Sequence, residues 1–432
     1  MVTQSNHDHD VAGRGFKHLT PTNEALKTII DKLPQTTPNV EDIPVNQALD
    51  RILGKNLFSP VDVPPFDRAA MDGFAVRAED TYGASATAPV FLRSIAATRI
   101  GDTPKITIGK GEAAHVVTGG QMPQGASAVV MVEYTNQTSD GTVQISDQVH
   151  PGENVSRVGE DIQRGATVLA DGTRLLPQDI GMLSALGISQ VSVMRKLRVA
   201  VLSTGNELED RPHEMAGKIA DVNRPILLNA IRGLGGEAVD IGIATDEFNH
   251  IRDRLKQALE KADIILITAG TSVGPHDFVP QVINSLGKPG MLVHGVAMRP
   301  SMPTGLGVVN GKPVVSLPGY PVSAYIAFLE FIPPLMDHML RSASLPRPIV
   351  VARLRRRVAG VLGSRTYVRV RASKHGEEVV ADPVRTSGAG ILSSLVQANG
   401  FIIVPEHVEG YEEGQTVDVE LFRPLEREEA GK

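Results

Sequence analysis

The chain's 432 residues, 41% hydrophobic and 21% charged, suggest about three globular domains at roughly 150 residues each. The absence of Cys excludes disulfides, thiolate metal sites and cysteine nucleophiles, and a net charge of −6 with no Trp and 4% aromatic residues argues against a nucleic-acid partner. No apolar run nears the ~20 residues of a membrane span and the polar N-terminus carries no secretory signal, so no membrane is expected and the cytoplasm is the expected setting.

Residues 1–18 read as a polar, disordered tail in which His7 and His9 alternate with Asp8 and Asp10. Thr20 and Pro21 then signal a helix with an apolar stripe of Ala25, Ile29, Ile30 and Leu33. A second short helix is expected through Val45, Leu49 and Leu53, ending at Gly54. From residue 61 to 152, short runs such as PVFLRSI, AAHVVT, AVVMVE and GTVQIS, separated by turn residues, predict a compact β module. Residues 153–195 bridge to the next domain and contain a further helix at PQDIGMLSALG. Over 196–345 strands alternate with helices: LRVAVLST, NRPILLNAIRGLGG, EAVDIGIAT, EFNHIRDRLKQALEKA, DIILITAG and VPQVINSLG, with strands again near MLVHGVAM and GKPVVSLPG before a long helix, SAYIAFLEFIPPLMDHML. That alternation predicts a parallel sheet with helices on both faces. Short strands return over 346–426, a second small β domain.

Ligands of open α/β sheets bind beyond the carboxyl ends of the strands, which directs attention to three segments. After LRVAVL comes Ser203-Thr204-Gly205-Asn206-Glu207, whose Glu207 could hold a hard cation or cap a helix. After DIILI comes Thr268-Ala269-Gly270-Thr271-Ser272-Val273-Gly274, then Asp277; its amides and hydroxyls suit a phosphate, or simply a tight turn. Leu317-Pro318-Gly319-Tyr320-Pro321-Val322-Ser323 opens the last long helix. A fourth segment, Pro64-Pro65-Phe66-Asp67-Arg68-Ala69-Ala70-Met71-Asp72-Gly73-Phe74, makes a stiff loop at the edge of the first β module. The twelve His show no paired metal spacing, Arg353, Arg355, Arg356 and Arg357 read as a solvated strand face, and no GxSxG elbow is present.

Taken in order, FDRAAMDGFAV, HVVTGGQMPQGASAVV, SRVGEDIQRGATVL, STGNEL, DVNRP, TAGTSVGPHDF, MRPSMPTGLG and LPGYPVSA resemble the molybdopterin molybdenumtransferase family, which includes the bacterial MoeA proteins and the E-domain of gephyrin. The resemblance covers about residues 20 to 425. It implies a multidomain α/β plus β fold: an extended N-terminal domain (19–60 with 153–195), an inserted β domain (61–152), a MogA-like α/β domain (196–345) and a C-terminal β-barrel-like domain (346–426). It also implies a homodimer whose site is shared between subunits, and dealings with a MogA-like adenylyltransferase and with molybdoenzyme apoproteins. The implied reaction inserts molybdate into adenylylated molybdopterin, with Mg²⁺ as cofactor and release of AMP.

Carried over residue by residue, the resemblance assigns catalytic places to Asp72, Thr118, Asp161, Glu207, Asp246 and Asp277, and metal ligation to Glu207, Asp246 and Asp277. Binding places fall to Asp221, Asn223, Gly270, Thr271, Ser272, Gly274, Arg299, Pro318, Gly319, Ser323, Ser387 and Ser394. The chain also departs from the family pattern. Arg68 and Ala69 replace an amide and a hydroxyl, Ala269 replaces a glycine, and Tyr320 replaces the Asn of LPGNP. The usual KPGKP is Arg299-Pro300-Ser301-Met302-Pro303, and Gly295 stands where many members carry a Lys. These losses of cationic anchors keep two alternatives open, a non-catalytic molybdopterin-binding or scaffold relative and a tungstate-using variant.

Overall fold

A computed structural model describes residues 18–34, 39–210, 217–269, 278–385 and 388–427. The chain forms two compact units, Glu41–Val193 on one side and Met1–Val40 with Met194–Lys432 on the other.

Within Glu41–Val193, the inserted β module is a six-stranded sheet. Its strand order is Ala128–Met131, Gly73–Val76, Glu112–Val116, Val90–Ala97, Thr142–Ile145, Thr135–Gln137. Phe74, Val76, Leu92, Val130, Val143 and Ile145 fill one core from alternating positions. A second small core joins Val45, Ala48 and Leu53 to Leu175, Leu183, Val191 and Val193, with Leu183 carried on the predicted helix, now seen as Pro177–Ala185. The short helix expected through Val45, Leu49 and Leu53 does not form. Only a 3-10 turn, Val45–Gln47, is present; thereafter the Leu53 amide donates to Thr173 O (2.8 Å) and the Gly54 amide to Ser192 O (2.9 Å). Its apolar spacing therefore comes from extended backbone docking on distant strands, and Leu49 is left exposed.

The other unit is built on a mixed six-stranded sheet. Its strands are β1 (Arg198–Thr204), β2 (Glu237–Ala244), β3 (Ile264–Ala269), β4 (Pro289–His294), β5 (Gly305–Val309) and β6 (Lys312–Pro318), in spatial order β2-β1-β3-β6-β5-β4. The first four in that order run parallel; β5 alone runs against them, antiparallel to both β6 and β4, a difference from the expected parallel sheet. The β-branched runs of β1 and β3 are buried along nearly their whole length because helices cover both faces. Those helices are α1 (Asn223–Gly233), α2 (Phe248–Lys261), α3 (Val279–Leu286) and α4 (Pro321–Leu340). On α2, Ile251, Leu255 and Ala258 form the buried stripe at helical spacing. Helix α4 contains Pro333 and Pro334, so the Leu329 carbonyl lacks its helical donor; Arg347 Nη2 supplies one at 3.4 Å.

The helix Thr22–Ile30 packs here rather than with residues 41–60. Ala25 and Ile29 enter the same core as Leu306, Phe328 and Phe331, and the Thr20 amide donates to Gly295 O (3.1 Å). The domain reading of 19–60 is thus divided at Val40 by packing.

At the C-terminal end, β7 (Ile349–Leu354), β8 (Arg365–His375), β9 (Glu378–Arg385), β10 (Gly400–Val404) and β11 (Thr416–Leu421) close into a five-stranded barrel. The ring runs β8-β9-β7-β11-β10 and back to β8. Closure leaves no long edge, and Leu354, Val368, Val370, Ile402, Val404 and Val419 fill the interior. Outside it the arginine run is ion-paired: Arg353 with Glu378, Arg356 with Asp382, Arg357 with Glu412.

Candidate active site at the strand ends

Register brings the first three segments together. Ser203 of β1 lies beside Thr268 of β3, and Thr268 beside Leu317 of β6, so the carboxyl ends of these strands are neighbours where the strand order switches direction. Thr268 Oγ1 donates to the Ser203 hydroxyl at 3.0 Å, tying two buried strand ends.

Leaving β1, the chain turns sharply at Gly205 (φ 155), whose amide donates to Ala244 O (3.1 Å). A Cβ at this position would lie 2.7 Å from Glu207 Oε1, so the glycine is what lets the exposed Glu207 carboxylate fold back over the strand end. Asn206 and Asp246 then clasp reciprocally. The Asn206 amide donates to Asp246 Oδ2 and the Asp246 amide to Asn206 Oδ1, both at 3.1 Å. Glu207 and Asp246 thus stand on the same side, at the ends of β1 and β2, as the resemblance requires. Among the described residues no three acidic or His side chains converge as a ready metal cage. Two carboxylates at a phosphate site nevertheless suit Mg²⁺, which commonly takes one or two protein oxygens and completes its shell with phosphate and water. Lys218 was not anticipated. Its ammonium donates to the Asn206 carbonyl, placing a cation at this loop through a turn that no local sequence pattern announces.

The Asp221-Val222-Asn223 turn opens α1. Asp221, a buried carboxylate, is held by Arg224 through the Arg224 amide (3.1 Å) and Nε (3.1 Å), and the same guanidinium pairs with Asp240 and Asp210. Its carboxylate is therefore engaged in holding the turn. Asn223, 7% exposed, donates from Nδ2 to Gly319 O at 2.7 Å, while its buried Oδ1 has no hydrogen-bond partner among the described residues.

Pro318 closes β6, Gly319 and Tyr320 are exposed, and Pro321 begins α4. This helix points the positive end of its dipole at the strand-end loops. It offers few free amides, because Pro321 has none and the Val322 amide donates to Ala389 O (3.1 Å). Ser323 is buried, and its carbonyl accepts from Ser301 Oγ at 2.7 Å, which anchors the Arg299–Pro303 segment beside the LPGYP loop. Arg299 is exposed on a two-residue strand along β8, whereas Ser394 is buried and donates its hydroxyl to Ile391 O. Gly270, Thr271, Ser272, Gly274, Asp277 and Ser387 lie outside the described residues. A cavity of about 850 Å³ opens at the opposite, amino ends of the strands, beside Leu197, Asp263 and Lys312, away from this site.

In the other unit, Thr118 donates to Asp72 Oδ1 from its amide (2.6 Å) and its hydroxyl (2.8 Å). The amide first and the hydroxyl second hold the Asp72 carboxyl below its ordinary range. Asp161 is exposed and lines an open depression of about 610 Å³ with Glu160, Gln163 and Asp179. Arg68 is exposed in a strand opposite Ser156.

The comparisons with known proteins decide the family. Residues 20–187 match the family described as "MoeA N-terminal region (domain I and II)", 200–338 the "Probable molybdopterin binding domain", and 351–422 the "MoeA C-terminal region (domain IV)". The molybdopterin molybdenumtransferase of Bacillus subtilis is 31% identical over 407 residues, 93% of this chain and 94% of that protein. Molybdopterin molybdenumtransferase 2 of Mycobacterium tuberculosis is 34% identical over 371 residues, 85% of this chain and 91% of that one. The crystal structure of the molybdopterin biosynthesis MoeA protein of Pyrococcus horikoshii superposes with a TM-score of 0.80 at 33% identity, covering 94% of this chain and 100% of that chain.

The chain belongs to the MoeA family. It is an enzyme of molybdenum cofactor biosynthesis, and its MoeA-type fold supplies the MogA-like α/β domain and the closed C-terminal barrel. Against the MoeA pattern, the replaced residues are distinct in setting. Ala269 is buried at the end of β3, and Gly295 (φ 100) accepts from Thr20 and donates to Thr304 O. Met302 is half-buried, and Tyr320 is 66% exposed. For the Asp72–Thr118 pair the expectation is specific. Thr118→Val removes the hydroxyl but keeps the larger cause, the amide, so the Asp72 titration midpoint should rise only part of the way to an ordinary Asp. Carboxyl carbon NMR shifts across acidic pH measure it; an unmoved midpoint would show that the hydroxyl does not act on Asp72.

Proposed function

We propose that the chain inserts molybdate into adenylylated molybdopterin, in a Mg²⁺-dependent step that releases AMP. The observation that carries this reading is the clasped strand-end pair, in which Asn206 and Asp246 lock two loops and keep the acids Glu207 and Asp246 at the carboxyl ends of β1 and β2. Glu207 and Asp246 would hold the Mg²⁺, which when bound offsets negative charge at the phosphoanhydride. Lys218 and Arg299 add positive charge for the phosphate and the molybdate, and the start of α4 adds its dipole. Asp72 and Thr118 serve the site from the partner copy of a homodimer, the bonds from Thr118 keeping Asp72 ionised. A MogA-like adenylyltransferase upstream and molybdoenzyme apoproteins downstream complete the proposal, in the cytoplasm.

The test is incubation with adenylylated molybdopterin, Mg²⁺ and molybdate while AMP is followed, together with light scattering for the dimer. AMP release that depends on both metals supports the reading. Molybdopterin binding without AMP release overturns it in favour of a non-catalytic relative, which the uncharged Met302 would suit. A lower apparent requirement for tungstate than for molybdate would reassign the metal.

The altered KPGKP segment carries its own expectation. Arg299 retains the charge that Met302 lacks, and removing a charged hydrogen-bond partner costs roughly 1.5–3 kcal/mol, or about ten- to a hundredfold in affinity. Arg299→Ala should weaken molybdate use by that factor, and Met302→Lys should strengthen it. Molybdate titrations of AMP release on variants of matched melting temperature decide; silence of both variants removes this segment from the anion site.

A further inference from the structure

The Arg299–Pro303 segment is held from two sides. Along β8 it pairs in parallel, Met298 opposite Arg365 and Arg299 opposite Thr366, and the Arg365 amide donates to Ala297 O at 2.9 Å. On the other side Ser301 Oγ donates to Ser323 O, in the first turn of α4. Ser301 has φ 103, a conformation rare outside glycine that persists only where the surroundings over-determine it. The Arg299 side chain is exposed and pairs with no acid among the described residues, so its backbone decides where the charge stands.

One carboxylate joins the two supports. Glu330 lies two turns further along α4 than Ser323, and therefore on the same face of the helix. Its Oε1 accepts from Arg365 Nη1 at 2.5 Å and its Oε2 from the Tyr367 hydroxyl, both donors belonging to β8. The Glu330 and Arg365 side chains are 11% and 20% exposed, and the buried Tyr367 ring stands edge-on to Phe401. Arg365 has other partners, Glu406 through Nε (3.2 Å) and Asn23 Oδ1 through Nη2 (3.1 Å), so its charge is matched without Glu330. Ion pairs shielded in this way add little net stability, and their best attested use is to fix one arrangement of the elements they join.

We infer that Glu330 is a positioning residue for Arg299. It sets the spacing of α4 from β8, the two elements that hold the Arg299–Pro303 segment, and through them the place of the Arg299 charge. The inference rests on the reading in which Arg299 serves the oxyanion; Glu330 itself touches no substrate. What matters is the reach of its side chain, because the tie spans two elements, rather than its charge acting at a distance.

The experiment uses the full-length chain with Glu330→Gln and Glu330→Asp, each alone and on the Arg299→Ala background. Gln keeps the reach: its oxygen accepts from Arg365 and its amide donates to the Tyr367 oxygen. Asp keeps the charge and is one methylene short. Two quantities are read, amide hydrogen exchange over 296–304 and the apparent KM for molybdate in AMP release. In the Asp variant exchange over 296–304 should quicken while β1 and β3 keep theirs. Its KM should rise by about tenfold with kcat little changed, inside the roughly hundredfold that a misplacement of about 1 Å can cost. Gln should stay close to wild type in both. On the Arg299→Ala background, Glu330→Asp should raise KM no further.

Unchanged exchange over 296–304 in the Asp variant overturns the proposal whatever the activity. Exchange quickened through β1 and β3 as well marks a loosened core and overturns it too. A Gln variant as weak as Asp assigns the effect to charge, and an Asp effect persisting in full on the Arg299→Ala background removes Arg299 as the route; either overturns it. Locally quickened exchange without AMP release in any of the proteins, or with a silent Arg299→Ala, overturns the use of Arg299 in the transferase reading and leaves its placement by Glu330 standing.

Discussion

Asp246→Asn should lower AMP release by about a hundredfold or more, close to the loss in Asp246→Ala, because on the proposed reading the carboxylate holds the Mg²⁺ whose positive charge offsets the charge developing on the phosphate, and such stabilisation is worth on the order of that factor. Asp246 has two separable duties. As a clasp, its Oδ2 accepts from the Asn206 amide, and a neutral carboxamide oxygen can still do so. As the proposed Mg²⁺ ligand with Glu207 it would need the negative charge. The Asn variant keeps the first and removes the second, whereas Ala removes both. Steady-state AMP release across a Mg²⁺ series distinguishes them. An Asn variant of near wild-type rate would mean that Asp246 only positions Asn206 and Glu207. An Asn variant that is slow yet partly rescued by higher Mg²⁺ supports ligation.

The alternating run of strands and helices was legible because β1 and β3 are unbroken β-branched stretches, and because α1 and α2 show helical spacing ending near Gly or Lys. The strand β5 was not. Its Gly305 and Gly307 resemble a loop, yet a Cβ at Gly307 would lie 2.9 Å from Gly290 O, and one at Gly305 3.2 Å from Met291 Sδ. These glycines permit a close antiparallel pairing with β4 that no periodicity reveals. The helix Thr22–Ile30 shows the same limit. Its apolar face is visible in the sequence, but nothing local states which core will cover it. In the site, the acids at the ends of β1 and β2 could be read from strand-end position and family resemblance. Lys218 could not, since its position depends on the chain returning to form the short parallel pair Leu208–Glu209 with Ile219–Ala220. Asp221 was legible as a position, but its tie to Arg224 was not, because that guanidinium's three-way pairing to Asp210, Asp221 and Asp240 joins residues distant in the chain.

That pairing leads to the largest stability effect. Arg224→Met should destabilise the α/β unit by about 3 kcal/mol, since removing one partner of a buried ion pair leaves the other charge uncompensated. Asp221 is the charge concerned, with a side chain 2% exposed, whereas Asp210 and Asp240 are 67% and 49% exposed and can return to water. The loss stays at the lower end of the usual range because the Arg224 amide still donates to Asp221 Oδ1. Adding Asp221→Leu to Arg224→Met should recover much of it, as apolar replacements of both partners are often close to neutral. Urea unfolding of the single and double variants measures this, and hydrogen exchange in Asn223–Gly233 locates it. A single variant within about 0.5 kcal/mol of wild type would show that the pair does not hold the turn. The functional consequence follows from Asn223, which sits between the two residues and ties Gly319 through Nδ2. A double variant that regains stability but loses AMP release would show that the ion pair, beyond its energy, keeps the Asn223 tie to the Gly319 loop in place for the proposed reaction.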